Sequence, residues 1–523
     1  MHYFSGVDVD DPMEGSTNAN ESLTIGHAAK KQKVEQRASK PGSLTFSRDS
    51  DAVFTSASYV KKLNEQIAKF FFATNTPFRH VGHMEFIKLC QLLRPGYSPP
   101  SEKMLAGDLL DTIYEEATTE SSKILSGESV TMSLDGWSNV HSEPLICASV
   151  ITSSGENYLS SIIDTSGNSH NSDYLCTLAK QSVLECKSKF NATVRSFVTD
   201  NTANVKKMRE ELSESDKSQE IIYYGCSAHV LNLLAKDLKV PNLTGHVVKI
   251  LKYFKYTHLP NAWYREIGGK KLVIPQEVRW NTYFDAIKSY LDNRGKLVQI
   301  CQDHQNEIGK EIFKLVNDVN LTVNCADYLA VLKPIAKALD NMQSDSTRLA
   351  ESVDIWNKLG EALESCSSSD QTKVMKYFNA RRDMALSDAH YAANLLDHRY
   401  CGKTLSDAQK KSAFDFLQSV DKEILPLSMQ FLAKRAPFPS YMFESQFNDV
   451  DPITWWANIE LTPDTKTKII HLSEQLFTGS PTTAGLERIF STFGLVQSKL
   501  RNRLGNEKAS KLTFMFKFFN RNK

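Results

Sequence analysis

Two aspartates each follow a run of residues that predicts a β-strand. Asp135 comes after the alternating run 130–134, and Asp200 comes after the β-branched and aromatic run 194–199. If these strands are neighbours, the two carboxylates meet at one edge of a sheet, where ligands of such sheets bind. A divalent cation would relieve their repulsion, and oxygen ligands suit Mg²⁺ or Mn²⁺. The alternative is that both are ordinary turn residues.

A third carboxylate is needed if such a pair is to support two-metal displacement at phosphorus. Glu487 is the candidate, because a helix beginning near Pro481 would bury its apolar residues and could aim this glutamate at the sheet edge. The alternative is a surface glutamate that pairs with a neighbouring arginine. The sequence therefore offers three acids for one metal site.

The elements that must position these acids form an α/β pattern. Strand signals over 129–134, 145–152 and 157–164 predict an antiparallel meander, with a hairpin between the last two. Amphipathic helices then alternate with strands at 194–199 and 221–224. The order β-β-β-α-β-α-β predicts a mixed five-stranded sheet with helices on its faces.

Helical patterns flank the sheet on both sides. Before it, helices are expected from near Tyr59, then up to Arg94, and then over about 104–125. After it, the stretch from about 232 to 470 is almost entirely helical, which predicts an insertion or a separate domain. The last segment, 480–520, predicts two helices split by residues 501–506.

Composition and length suggest several folding units. The chain has 523 residues, and residues 1–50 or so are rich in small polar groups, which predicts disorder. The run Lys30-Lys31-Gln32-Lys33 is either a nuclear import signal or a solvated tail. We expect a disordered tail over 1–55, a helical module over 56–127, a sheet core over 128–235, a helical insertion over 236–450, and core completion over 451–523.

Bulk properties exclude some classes of protein. The net charge of +1 means that any basic surface must be local. Nine cysteines without a C-x-x-C pair indicate reduced thiols and an intracellular location. No apolar run is long enough to cross a membrane, so no membrane partner is expected.

Five motifs in a fixed order resemble one family. They are LDGW at 134–137, VTDN at 198–201, CSAHVLNL at 226–233, RW at 279–280, and LERIFS at 486–491 followed by KLRNRL. Together they resemble the hAT family of DNA transposases over most of residues 60–520. The resemblance implies a ribonuclease-H-like core, interrupted by the helical insertion, whose catalytic and metal-binding residues are Asp135, Asp200 and Glu487.

The resemblance also implies an activity and partners. Water attacks at the transposon end, a hairpin forms on the flanking DNA, and the freed 3′-hydroxyl joins target DNA. The implied cofactor is Mg²⁺ or Mn²⁺, and the implied partner is double-stranded DNA in the nucleus. The C-terminal region, about 450–520, is expected to form a homodimer or a higher homo-oligomer.

Further residues are candidates for DNA contacts. Cys226 and His229 have ligand-like spacing, but no second pair lies near enough in sequence to complete a zinc site. Cys226 is therefore expected to pack, while His229 stays a candidate because the resemblance places this pair near the acids. Trp280 is either a core residue or stacks on a base extruded during hairpin formation, with Arg279 on phosphate.

Three basic residues near the end of the chain have two possible roles. Lys499, Arg501 and Arg503 can follow DNA phosphates, or they can cap the C-terminus of a helix through its dipole. For an isolated turn with basic residues, helix capping is the interpretation that we take by default.

One departure from the family favours a second function. Many hAT proteins begin with a zinc-binding BED finger, whereas residues 1–60 here contain no cysteine. The alternative to a transposase is a domesticated relative that regulates by binding DNA or by dimerising, without catalysis. The presence of all three acids favours the transposase.

Overall fold

The computed structural model describes residues 56–216, 219–275, 281–366, 370–501 and 503–521. The expected tail over 1–55, with its basic run, lies outside the described residues. So do Arg279 and Trp280.

One mixed sheet occupies the centre of the first half of the described chain. Its strands are β1 (Ser129–Ser138), β2 (Pro144–Thr152), β3 (Asn157–Asp164), β4 (Thr193–Thr199) and β5 (Ile222–Gly225). Their order across the sheet is β3-β2-β1-β4-β5, with β1 to β3 antiparallel and β4 and β5 parallel to β1. The expected five-stranded mixed sheet is confirmed.

β1 continues through Asp135, so the prediction that this strand stops there was wrong. On the side of β2 the pairing runs on to Ser138, which faces Pro144. On the side of β4 the pairing ends at Leu134, which faces Thr199. β2 therefore holds β1 extended after β4 has turned away.

Among the described residues, four α-helices precede the first strand in sequence, and two more lie between β3 and β5. They are α1 (Ala57–Ala73), α2 (Met84–Leu93), α3 (Glu102–Leu105), α4 (Asp108–Leu125), α5 (Ser172–Phe190) and α6 (Ala203–Ser215). The single helix expected over 104–125 is two helices, α3 and α4. Gly107 separates them because its backbone, with φ −123° and ψ −105°, leaves the helical region.

The stretch after β5 is helical, as predicted from 232 to 470. Its helices are α7 (Ser227–Asp237), α8 (Pro241–Tyr256), α9 (His258–Glu266), α10 (Asn281–Asp303), α11 (Lys310–Val316), α12 (Val319–Met342), α13 (Leu349–Glu364), α14 (Gln371–Ala385), α15 (Asp388–Leu396), α16 (Asp407–Val420), α17 (Ile424–Leu432), α18 (Pro452–Ala457) and α19 (Pro463–Phe477).

Two helices end the described chain, α20 (Ala484–Val496) and α21 (Asn506–Phe519), and they are split as predicted. α20 begins at Ala484, not near Pro481. The Pro481 carbonyl accepts the Ser227 amide at 2.9 Å, so it does not start a helical hydrogen-bond ladder.

The apolar interior consists of two buried clusters. One joins the sheet with α1, α4, α5, α20 and α21, through residues such as Phe72, Met132 and Phe493. The other fills the helical stretch around Trp356 and Phe431. The helices before the sheet thus share its core, and the expected unit boundaries stay a prediction. None of the described helices is long and apolar enough to cross a membrane.

Candidate active site

Asp135 and Asp200 stand side by side across the β1–β4 pair. Leu134 and Thr199 are partners in the parallel register of β1 and β4. Asp135 directly follows Leu134, and Asp200 directly follows Thr199. Residues at equivalent positions of paired strands project to the same face of a sheet. The expectation that the two strands are neighbours is confirmed, and it brings these two acids together.

Helix α20 carries Glu487 over the same face. Phe490, one turn after Glu487, stacks on Trp137 with ring centroids 4.3 Å apart, and Phe493 meets Trp137 edge-on at 5.3 Å. Trp137 follows Asp135 by two residues on β1, so both side chains leave the same face. Because residues three apart share one side of a helix, Glu487 also faces this part of the sheet.

The electrostatics of Asp135 show that the three acids influence one another. The pKa of Asp135 is raised to about 7, chiefly by burial and then by the negative charge of Asp200, with a smaller contribution from Glu487. The Gly136 amide, which donates to Asp135 Oδ1 at 2.8 Å, opposes this rise. Like charges that raise a carboxyl pKa are also the charges that a bound cation would offset.

The donor set suits a hard divalent cation, since all three groups offer carboxylate oxygens. Within the described ranges, however, no three His, Cys, Asp or Glu side chains already stand close enough to hold an ion. Binding would therefore have to draw the carboxylates of Asp135, Asp200 and Glu487 closer together. The observation that supports such a site is the raised pKa of Asp135.

Arg209 of α6 fixes the turn that carries Asp200. Its guanidinium donates to Thr199 Oγ1, to the Asp200 carbonyl and to Asn201 Oδ1. Burial lowers the pKa of Arg209, and the charge of Asp200 opposes that shift. The Thr202 amide and hydroxyl donate to Asp200 Oδ1 at 3.3 and 3.0 Å. The Asp200 carboxylate is thus oriented from its own turn.

The same turn is tied to the end of β5. Asn201 Nδ2 donates to the Cys226 carbonyl at 3.0 Å. A Cβ atom on Gly225 would lie 1.9 Å from Asn201 Oδ1, so a side chain at this position would displace the amide. Glycine at 225 therefore allows the close approach of the β4 turn to β5.

The segment 478–483, which leads into α20, is fastened to the sheet. Thr131 Oγ1 on β1 donates to the Thr478 carbonyl at 2.7 Å and accepts from the Ser480 amide at 3.2 Å. Tyr224 Oη on β5 donates to the Ser480 carbonyl at 3.0 Å. Because these contacts are buried and come just before α20, they set where Glu487 enters the site.

Cys226 has the structural role that was expected. Its buried sulfur accepts from the His229 and Thr483 amides, both at 3.4 Å, so it caps α7 and holds the 478–483 segment. His229 lies in the first turn of α7, next to this segment. Its role as a DNA contact stays a prediction.

The basic residues after α20 divide between the two expected roles. Arg501 donates to the Asn75 and Thr76 carbonyls at 3.1 and 3.3 Å, just beyond the C-terminal end of α1. Burial lowers the pKa of Arg501. Arg501 therefore holds a helix end, whereas Lys499 and Arg503 are exposed and stay candidates for phosphate contacts.

Sequence reasoning missed the residues that hold the acids in place. Thr131 gives a weak signal, as a hydroxyl within a buried strand. Arg209 gives another, because it lies beside Met208 on the buried side of α6. Neither pattern identifies the partner, which comes from another part of the chain.

Comparison with known families supports the resemblance over the sheet. Residues 100–253 match the model of a domain of unknown function (DUF659). The matched range contains all five strands with Asp135 and Asp200, but not Glu487. This domain is associated with hAT-type transposases, and the match covers less than a third of the chain. No curated protein matches the chain.

Proposed function

We propose that this protein is a DNA transposase of the hAT type, with a ribonuclease-H-like core formed by the sheet. One observation carries the proposal. Asp135, Asp200 and Glu487 are far apart in sequence, yet the charges of the other two raise the pKa of Asp135. Acids that converge on one face of a sheet are suited to hold the metal ions of phosphoryl transfer once a cation draws their carboxylates together.

In this proposal the three carboxylates would hold Mg²⁺ or Mn²⁺, which when bound would activate a water and offset charge on the cleaved phosphate. The chain contributes the positions of the ligands. Thr202 orients the Asp200 carboxylate, and Arg209 holds the turn that carries it through the Asp200 carbonyl. The reaction is cleavage at the transposon end, hairpin formation on the flanking DNA and strand transfer to target DNA.

The proposed setting is the nucleus, with double-stranded DNA as substrate and a homodimer or higher oligomer formed through residues 451–523. His229, Lys499 and Arg503 are the proposed DNA contacts among the described residues. Arg279 and Trp280 are proposed contacts outside them. Arg501 is assigned to the fold instead, because its guanidinium is engaged with carbonyls next to α1.

Cleavage of labelled duplex DNA tests the proposal. The duplex should carry the inverted repeats found in genomic DNA on either side of the coding region. We expect cutting in Mg²⁺ or Mn²⁺, and a loss of about 1,000-fold or more in Asp200→Asn. Asp173→Asn, an exposed acid in the first turn of α5, is the matched control and should cut normally. Undiminished cutting by Asp200→Asn would overturn the assignment.

A second candidate is a regulator that binds DNA or dimerises without catalysis. It is favoured by the spacing of the acids, since no ready ion site exists among the described residues. The same assay separates the two functions. A regulator would bind the duplex in Mg²⁺ and Mn²⁺ and leave it uncut.

A further inference from the structure

Arg488 follows Glu487 directly on α20 and forms an ion pair with the Asp345 carboxylate. Both side chains are exposed, at 46% for Arg488 and 63% for Asp345, so water competes with this pair and makes it weak. A guanidinium binds carboxylate and phosphate oxygens with the same geometry. Asp345 therefore occupies a position on Arg488 that a phosphate could take.

Asp345 is held in this position by the loop between α12 and α13. The buried Arg348 guanidinium donates to the Asp345 and Thr347 carbonyls at 2.8 and 2.9 Å, and also to Ser153 in the β2–β3 turn. A Cβ atom on Gly155 would lie 2.2 Å from the Asp345 carbonyl oxygen. The loop is thus packed against the β2–β3 turn, and this packing holds the backbone of Asp345 near Arg488.

Lys517 of α21 is a second cation at the same corner. It lies one turn before Arg521, which donates to Tyr158 Oη on β3 at 3.0 Å, so Lys517 faces β3 as well. Burial lowers the pKa of Lys517, the charge of Arg488 lowers it further, and Asp345 opposes the shift. In the part of the chain that the structure describes, the Lys517 ammonium has no ion-pair or hydrogen-bond partner.

An amide without a partner completes the corner. Asn157 begins β3, and both polar atoms of its side chain are buried without a hydrogen bond among the described residues. A Cβ atom on Gly485 would lie 1.8 Å from Asn157 Nδ2, so this amide packs on the first turn of α20. Gly485 precedes Arg488 by one turn, which brings Asn157 and Arg488 to the same side of the helix.

The corner lies on the side of the sheet that carries Asp135. Cys147 of β2 is directly opposite Asp135 in the antiparallel register, so both side chains leave the same face. Burial raises the pKa of the Cys147 thiol, Asp135 raises it further, and Lys517 opposes that rise. The charges of Asp135 and Lys517 thus both act on the Cys147 thiol. This places Lys517 near the side of the sheet that carries Asp135.

We propose that Arg488 and Lys517, beside the buried Asn157 amide, form a binding site for a backbone phosphate of DNA, which Asp345 occupies while the protein is free. The proposal rests on the proposed function, since it assigns the site to a phosphate next to the cleaved bond. Three clustered acids repel the DNA backbone, so nearby cations are needed to hold it. A bound DNA phosphate gives Lys517 a counter-ion, and on Arg488 it replaces the carboxylate of Asp345.

Binding of a labelled duplex to the full chain tests this site, measured by fluorescence anisotropy over a range of salt concentrations without divalent cations. Lys517→Met should weaken binding about 5-fold to 10-fold and reduce the slope of log K against log salt by about one, because one phosphate contact is lost. Lys517→Arg should restore both values. Lys511→Met, on the same helix but already paired with Asp111 and Glu507, is the matched control and should change neither.

Asp345→Asn should have the opposite effect. It frees Arg488 from its counter-ion, so the duplex should bind about 3-fold to 5-fold more tightly. Arg488→Gln should abolish this gain when combined with Asp345→Asn. The opposite signs of the Lys517→Met and Asp345→Asn effects cannot come from a general loss of folding, and the melting temperature of Lys517→Met should not fall, because the change removes a buried charge.

The DNA-phosphate site is overturned if Lys517→Met leaves both the affinity and the salt slope unchanged. It is also overturned if inorganic phosphate binds the corner but the duplex slope does not change, which would assign the site to a free anion. Since no cleavage is measured, these outcomes are independent of catalysis. A protein that binds as expected but never cuts DNA would contradict the proposed function alone.

Discussion

Asp135 is the residue whose surroundings say most about the site. It lies on a strand that is still paired on one side, it is largely shielded from water, and two other acids act on it. An aspartate in a simple turn would have none of these features. The turn interpretation of Asp135, which the sequence left open, is therefore not the one that the structure supports.

Some residues could be given a role from the sequence, and others could not. The three acids were singled out in the sequence because five motifs occur together in one order. Arg501 could not be assigned, because a basic residue after a helix looks the same whether it faces a phosphate or a backbone carbonyl. Only its contacts with Asn75 and Thr76 decide the matter, and those residues lie at the other end of the described chain.

The raised pKa of Asp135 makes a prediction about stability and pH. The folded-state value of about 7 exceeds the ordinary value of 3.8, so ionising Asp135 costs stability as the pH rises between these values. Asp135→Asn removes this cost. Without divalent cations it should stabilise the fold by about 1–2 kcal/mol near pH 8 and by almost nothing near pH 4.

Urea unfolding of the wild type and of Asp135→Asn at the two pH values measures the effect. Asp173→Asn, which changes an exposed carboxyl of α5, is the matched control. Equal stabilisation by Asp135→Asn at both pH values would show that the carboxyl is not held in its neutral form by burial and the neighbouring charges.

The elements of this fold were predictable where a repeating pattern exists. The five strands and both helices of the last segment follow from apolar spacing. Errors occurred where a distant contact decides a boundary. β1 runs past Asp135 because β2 still pairs with it, and α20 starts late because the Pro481 carbonyl is used by Ser227. Such contacts cannot be predicted from the local spacing of apolar residues.

The segment 478–483 is the element on which the position of Glu487 depends. Thr131 makes two of its anchoring hydrogen bonds, and both are buried. Thr131→Val keeps the shape of the side chain but leaves the Thr478 carbonyl and the Ser480 amide without this partner. We expect a loss of about 2–4 kcal/mol in the free energy of unfolding. The start of α20 would then be held less firmly, and Glu487 would be positioned less well. We therefore also expect DNA cleavage to fall about 10-fold or more.

The matched control is Thr244→Val in α8. Thr244 is also buried, and its hydroxyl donates to the Val240 carbonyl at 3.3 Å, within α8 and outside the 478–483 segment. It should lower stability without changing cleavage once the protein is folded. The role given to the segment would be contradicted if both variants lost the same stability and cut DNA equally well.

At the scale of the whole molecule, the site joins parts of the chain that a long helical stretch separates. Asp135 lies on β1, Asp200 follows β4, and α20 carries Glu487 to the same face although α7 to α19, which have their own core, intervene in the sequence. The motifs singled out these three acids as candidates for one site. They could not predict how the two cores are joined, as by Arg348 against the β2–β3 turn, because that contact depends on the completed fold.

Binding of Mn²⁺, followed by electron paramagnetic resonance, tests most directly whether the three carboxylates act as one site. We predict that the wild type binds the ion and that Asp135→Asn, Asp200→Asn and Glu487→Gln each weaken binding about 10-fold or more. Glu507→Gln, at an exposed acid of α21, should bind as the wild type does. Wild-type affinity in Glu487→Gln would contradict the account, because it would leave the acid of α20 outside the site.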